Sequence, residues 1–540
     1  MENLLRGPIQ HFYFSIFFWW ASLVFFEFLI FAGASYLLGG KALKALKIGF
    51  KYEGERAVYS TMLGYGLFGL FGASLAIFGI FNALYLRLFL AAVFLVSIKD
   101  VFYGAKYLRD WLGPGRIFDS LKSVFHEHAF LKTLLFIWIF ANFLIAFHPV
   151  TGNDARVYHL PVMFDIINQE KFTFSETVDQ FYAYIPVLAE TVYAVPTAIF
   201  GNKSDPYVFQ LIQYSALPLL LALLYFFLKN LVTNKLLHMA ALFFTLGNFD
   251  FQREVLHAGY VDVLTLLFCI ASSLLIIQAF GEANPHTNFG EVGVGASPSK
   301  KFLLSSIMLG LGLGMKYTAI FFGAINLLFL FVYFWNKRAC FYDLSRILLR
   351  YGLVLLLISG FWYGKNLFVH GNPVYPMFSN PDFIGGIGWW VADRTFLNFF
   401  LFPFIRFGQW FVDDTQTSSQ LFIFGLYALM YGGLLLLLLR RKKIGITTAL
   451  LFLFVQIYTS ILFFVSHQNR FLLPAGIMLA PLAAILSDKL SVMFYKISRP
   501  ALVFLCLILF LGNFHYFGVK FLYLTGVYDR GQYILEIGGQ

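Results

Sequence analysis

Apolar residues run along this chain in long blocks, separated by short polar or basic stretches. Each block is about long enough to cross the roughly 30 Å hydrocarbon layer of a bilayer. The pattern predicts about fourteen transmembrane helices, over 12–38, 58–80, 82–98, 131–149, 206–228, 236–250, 259–280, 302–315, 317–335, 347–363, 421–439, 446–465, 470–487 and 500–517. Twelve is the lower bound, because several blocks are short and could be re-entrant or merged. The predicted fold class is an all-α polytopic membrane protein.

Basic residues then predict an orientation. Clusters follow every odd-numbered block: Lys41 to Arg56, Lys99 to Lys122, Lys229 and Lys235, Lys300 and Lys301, Lys337 to Arg350, Arg440 to Lys443, and Lys489 to Arg499. If the blocks alternate in direction, all these clusters fall on one side, which is the cytoplasmic side under the positive-inside rule. Both ends of the chain then lie outside. So do two long segments, 150–205 and 364–420, which hold much of the polar chemistry.

Composition sharpens this reading. Of 540 residues, 59% are hydrophobic, 20% aromatic and only 12% charged. A soluble chain carries about 25% charged residues. That excludes an ordinary cytosolic enzyme, a disordered protein and a nucleic-acid-binding module. The net charge of +11 is explained by the inner loops and needs no polyanionic partner. Cys269, Cys340 and Cys506 have neither disulfide nor zinc spacing. The first block is too long for a signal-peptide core and has no basic flank before it, so no cleavable leader is expected. Segment 282–299 reads as a flexible inner loop. No internal repeat appears, which gives an inverted-repeat transporter little support.

The candidate chemistry lies on the outer side. The first long loop opens TGNDARVYHLP, which places Asp154 beside Arg156, Tyr158 and His159 at the membrane surface. A carboxylate there suits a general base, while Asn153 or Asp154 equally suits a helix N-cap. The loop continues FYAYIPVLAETVYAVPTAIFG, which reads as one or two amphipathic helices lying on the membrane, with Glu190 either at the surface or facing a site. NFDFQREVLHAGYVD brings Glu254, His257 and Asp262 to the ends of two spans. An acid as deep as Asp262 must be paired or face a wet cavity. Arg253 is its nearest basic partner in sequence. Lys316, Lys365, His370 and Arg470 run against the charge rule. Such cations either snorkel to headgroups or bind an anion.

These stretches resemble the GT-C superfamily of integral-membrane glycosyltransferases, which use polyprenyl-phosphate-linked sugars, including the protein mannosyltransferase-like and aminoarabinose transferase-like branches. TGNDARVYHLP is similar to the catalytic first outer loop, FYAYIPVLAETVYAVP to the surface helices after it, and REVLHAGYVD to the next acidic pattern. GLGMKYTA, NLFVHGNPVYP and NRFLLPA are similar to later signatures, in the family's order. The resemblance implies a GT-C-like catalytic core over 131–490, extra N-terminal helices over 1–130, and a last span with an outer tail over 491–540. It implies sugar transfer with inversion to an acceptor hydroxyl, on the extracytoplasmic side of a bacterial or archaeal inner membrane. Asp154 would be the base. Glu254, Asp262 and Glu190 would orient acceptor or sugar. Arg470, Lys316 and Lys365 would meet the lipid phosphate, and Tyr158, His159 and His257 would shape the pocket. The expected partners are the lipid-linked donor, an acceptor lipid, glycan or protein, and membrane lipids, but no nucleic acid. No metal or other cofactor is expected.

Two rivals remain. A lipid-linked saccharide transporter or flippase would use ionisable groups in mid-membrane, and Glu27 is its best residue. An O-antigen-type polymerase or ligase would use arginines of the second long loop, where Arg394 and Arg406 lie.

Overall fold

The computed structural model describes residues 2–111, 128–150, 152–173, 184–201, 207–247, 259–282, 297–336, 341–377, 417–439, 444–465, 469–491 and 500–511. Among these residues every regular element is a helix. In chain order they are α1 (Glu2–Ala45), α2 (Glu53–Ile77), α3 (Ala83–Val96), α4 (Ile98–Trp111) and α5 (Ala129–Ile145). A π-helical turn (Ala155–His159) leads into α6 (Leu160–Gln169), and α7 (Leu188–Phe200), α8 (Val208–Lys229) and α9 (Lys235–Leu246) follow. Next come α10 (Asp262–Glu282), α11 (Pro298–Met315), α12 (Ala319–Asn336) and α13 (Phe341–His370). The last are α14 (Thr417–Leu439), α15 (Ile446–Val465), a 3-10 turn (Asn469–Leu472), α16 (Leu473–Ser491) and α17 (Pro500–Leu511).

A helix occupies each of the fourteen apolar blocks, but fewer can span alone. Among the described residues, eight are long and apolar enough to cross a membrane: α1, α2, α8, α10, α12, α13, α15 and α16. A ninth joins them if α3 and α4 are one path, though the two are bent by 65°. Helices α5, α7, α9 and α17 are apolar but shorter, and at about 1.5 Å per residue they fall short of about 30 Å.

Contacts sort the polar groups to two ends of the bundle. At one end Lys41 pairs with Asp100 at 2.5 Å, and Lys300 Nζ donates to Lys47 O at 2.5 Å. There too Lys229 lies 4.1 Å over the Tyr52 ring, Thr233 meets Asp488, and Lys489 donates to Thr448. This is the basic end. At the other end Phe81 N–H donates to Glu170 O, Phe172 N–H donates to Ala76 O, and Gln210 Nε2 donates to His148 O. The candidate site lies at this second end.

Packing between the ends relies on close approach and on one polar network. Ser35 and Gly39 of α1 face Ser60 and Gly64 of α2, each pair four residues apart. A Cβ on Gly39 would overlap the Ser60 carbonyl, and a Cβ on Gly64 would overlap that of Ser35. Small residues at this spacing let two backbones touch. Four helices meet at buried Ser272, Ser305, Asn326 and Tyr351. Ser272 donates to Ser305 O, Asn326 Nδ2 donates to Ser272 Oγ, and Ser305 and Tyr351 share a hydrogen bond at 3.1 Å. Ser273 donates to Asn326 Oδ1. Such a network fixes how α10, α11, α12 and α13 are rotated against each other.

One expectation is overturned. The loop helix α7 does not lie on the membrane surface, because every residue from Leu188 to Ile199 is buried. The reason is the wall it meets. Val192 and Val195 of α7 fill the space left by Gly69 and Gly72 of α2, and Leu188 packs against Gly314 of α11. The N-terminal helices therefore form part of the site's surroundings, through α2. Exposed apolar side chains beside charged ones occur instead on α4, at the basic end.

Candidate functional site

The site is built on the π-helical turn. Asp154 is its N-cap residue, half-buried and in helical conformation, and its side chain makes no capping hydrogen bond. The N-cap alternative for Asp154 is thus not what is observed. Leu160 N–H reaches back to Ala155 O, the five-residue bond of a π turn. The wider turn brings residues four and five apart onto one side, so Asp154, Tyr158 and His159 share a face. Single π turns inside helices are frequent at functional sites.

His159 and Glu190 form a buried pair. His159 Nδ1 lies 2.5 Å from Glu190 Oε1, with side-chain exposures of 3% and 1%. The two side chains share one short hydrogen bond through these atoms. Among the described residues, His159 Nε2 and Glu190 Oε2 have no hydrogen-bond partner. Such groups cost about 1–3 kcal/mol each. The double change His159→Phe with Glu190→Leu is therefore expected to hold or raise stability by up to about 4 kcal/mol. Glu190→Leu alone is expected to lower it by about 1–3 kcal/mol, since Nδ1 then loses this hydrogen bond. Unfolding midpoints of the three proteins in detergent check this. A double variant less stable than the single would show that the pair is a structural necessity.

Two aromatic residues connect this pair to the next acid. Tyr193 O–H donates to Tyr260 O at 3.3 Å, and the Tyr260 and His159 rings lie 6.3 Å apart. Gly259, just before, has φ +64°, and a Cβ there would press on Val150 and Ala155. Only glycine accepts both the backbone angle and the contact. This holds segment 259–262 against the π turn.

Asp262 opens α10 and is bound by Lys316, whose Nζ lies 2.7 and 2.8 Å from its two oxygens. Lys316 is the extended residue between α11 and α12, so the tight turn expected there is present. Lys316 is thus a partner of Asp262, while the expected Arg253 lies outside the described residues. Lys316 in turn sits 5.9 Å from the Phe471 ring. That brings the 3-10 turn carrying Arg470 to this corner; Arg470 is described only as backbone.

A further cluster adjoins Lys316. Tyr317 O–H donates to Tyr375 O at 2.6 Å, and Asn366 Nδ2 donates to Tyr184 O at 2.9 Å and to the Tyr317 hydroxyl at 2.7 Å. His370 stacks on Tyr375 at 3.6 Å, and Lys365 Nζ lies 5.0 Å over the Tyr184 ring. Tyr317, Asn366, Tyr184 and Tyr375 were not singled out in the sequence. Their signal was position: each is a polar group within a few residues of a singled-out cation or acid.

Asp154, Tyr158, His159, Glu190, Asp262, Lys316 and Lys365 therefore come together at one end, held on five separate stretches with Arg470's turn beside them. Glu254 and His257 lie outside the described residues. The arrangement has an acid-rich side at the π turn and a cation-bearing side around Lys316 and Lys365. It could take a hydroxyl on the first and an anion on the second. No family model, no curated protein and no solved structure matches the chain.

Proposed function

We propose that the protein is an integral-membrane glycosyltransferase of the GT-C type, with about fourteen spans and its catalytic core over 131–490. It moves a sugar from a polyprenyl-phosphate donor to an acceptor hydroxyl at the extracytoplasmic surface of a cell inner membrane. The observation that supports this reading is the gathering of distant acids and cations at the end of the bundle opposite the basic clusters. Under the positive-inside rule that end faces away from the cytoplasm.

The roles follow from charge. Asp154, half-buried at the start of the π turn, takes the proton of the acceptor hydroxyl. The acceptor oxygen bonds to the anomeric carbon, and the bond from that carbon to the phosphate oxygen breaks with inversion. Arg470 and Lys365 meet the developing charge on the leaving phosphate. Lys316, engaged by Asp262, contributes a weaker field and holds that acid in place. His159, Tyr158 and Glu190 line the acceptor side; Glu254, which would orient acceptor or sugar, and His257, which would shape the pocket, lie outside the described residues. No metal is assigned a role.

The test is transfer of label from polyprenyl-phosphate sugars to an envelope extract, with wild type and Asp154→Asn in parallel. Loss of about a hundredfold or more in the variant is the expected result. Equal transfer by both would move the base elsewhere, first to Glu190. No transfer by the wild type from any donor would sink the transferase reading.

One observation favours a second reading, a lipid-linked saccharide flippase. Glu27 of α1 is buried within a candidate span, and its Oε2 has no hydrogen-bond partner among the described residues. Arg394 and Arg406, the residues of the polymerase or ligase reading, lie outside the described residues.

A further inference from the structure

Helix α4 fits neither water nor the bilayer core. It leaves α3 at 65°, directly after buried Ser97. Ile98, Val101, Phe102 and Ala105 follow the one-face spacing of an amphipathic helix. That face is unpartnered: Ile98 is 45% exposed, Phe102 70% and, beside it, Tyr103 74%. Apolar groups at such exposure are unfavourable in water. The same helix carries Lys99, Asp100, Lys106, Arg109 and Asp110, which is too much charge for hydrocarbon. A membrane interface satisfies both faces at once.

The surroundings select the lipid. Lys99, Lys106 and Arg109 are all exposed. Lys41 at the end of α1 grips Asp100 at 2.5 Å, tying α4 to the bundle beside Lys44, Lys47 and Arg56. The Lys300 ammonium reaches the same corner. Three acids face this cluster and each is paired: Asp100 with Lys41, Asp110 with Arg109 and Glu53 with Arg56, which leaves Lys44, Lys47, Lys99, Lys106 and Lys300 over. The excess is positive and lies where the apolar face would place it, at headgroup depth.

We propose that α4 lies in the interface of the leaflet at the basic end and binds the phosphates of anionic phospholipids through Lys99 and Lys106. Phe102 and Ile98 anchor it in the upper acyl region, and the Lys41–Asp100 pair fixes its direction. Arg109, near the apolar side, extends its guanidinium to the headgroups. This site is at the end opposite the candidate active site and stands independently of the proposed reaction.

The experiment uses the full chain with its three cysteines replaced by alanine. A bimane fluorophore is placed at Phe102→Cys or Lys106→Cys, in phosphatidylcholine nanodiscs with and without phosphatidylglycerol. At position 102 the label is expected to be quenched by a nitroxide near the headgroup and shielded from iodide, and at 106 it is expected to be open to iodide. Headgroup-labelled phosphatidylglycerol is expected to quench position 102 above its bulk share. Lys99→Gln and Lys106→Gln should each lower that enrichment by about fivefold. Iodide access at 102 equal to that at 106 would overturn the proposal in favour of a face for a soluble partner. Strongest quenching from a nitroxide at the chain terminus would overturn it in favour of a broken span. An enrichment unchanged by both lysine variants would remove the anionic-lipid assignment.

Discussion

Lys316→Met is expected to destabilise the protein by about 3–5 kcal/mol, the scale for a buried ion pair that loses one member. Both partners are largely withdrawn from solvent, with side-chain exposures of 15% for Lys316 and 8% for Asp262. Methionine keeps the bulk of the lysine stem, so the loss is chiefly of charge. It takes the Lys316 cation from the Asp262 carboxylate, at the start of a helix whose apolar stretch is wholly buried. The double variant Asp262→Leu with Lys316→Met is expected to recover most of the loss, because it removes both charges of the pair from a buried site. A double-mutant cycle on unfolding free energies in detergent measures the coupling. A single-variant cost below about 1 kcal/mol would mean that water screens the pair. If the double variant is stable yet transfers no sugar in the labelled-donor assay, the pair serves the site as well as the fold.

Gly64→Leu is expected to cost as much or more. Overpacking a core costs about 1–3 kcal/mol when neighbouring side chains can shift. Here the obstruction is the Ser35 carbonyl, part of the α1 backbone, which no rotamer change moves. Leucine at position 64 can be admitted only by parting α1 from α2. Gly33→Leu, on the same α1, is the control, because nothing stands within 4 Å of a Cβ there. The expected order of thermal midpoints is wild type and Gly33→Leu together, Gly64→Ala lower, and Gly64→Leu lowest. A Gly64→Leu protein as stable as the control would show that the two helices are not in backbone contact.

Much of the helical layout was legible because hydrophobic length is a local property. Each apolar block carries its own signal, and each is helical. The number that span alone was less legible, since α5, α7 and α9 are as apolar as the longer helices but fall short in reach. The site was legible in part because Lys316 and Lys365 stand apart from the basic clusters that follow every odd-numbered block. The pairing of Asp262 was not, because Lys316 is distant in sequence and meets it only through the packing of α10 on α11. Nor was the fate of α7. Its apolar residues and its proline suit a surface helix as well as a buried one, and the difference lies in glycines of α2 far earlier in the chain. The 65° bend that makes α4 a separate helix was hidden for the same reason. Its lysines read only as a basic loop.

The glycine-lined wall of α2 also sets an order of assembly. Helix α2 leaves the ribosome more than a hundred residues before α7 does. When α7 emerges, with 13 residues, it is too short to settle across the bilayer, and it needs a partner already in place. Gly69 and Gly72 offer that berth. A chain made without its first helices would leave the helix of Glu190 only α6, α8 and α11 to pack against. Supplying residues 1–111 as a separate polypeptide should restore the contact only if the fragment is inserted first, so the timing of synthesis becomes part of how this end of the bundle is built.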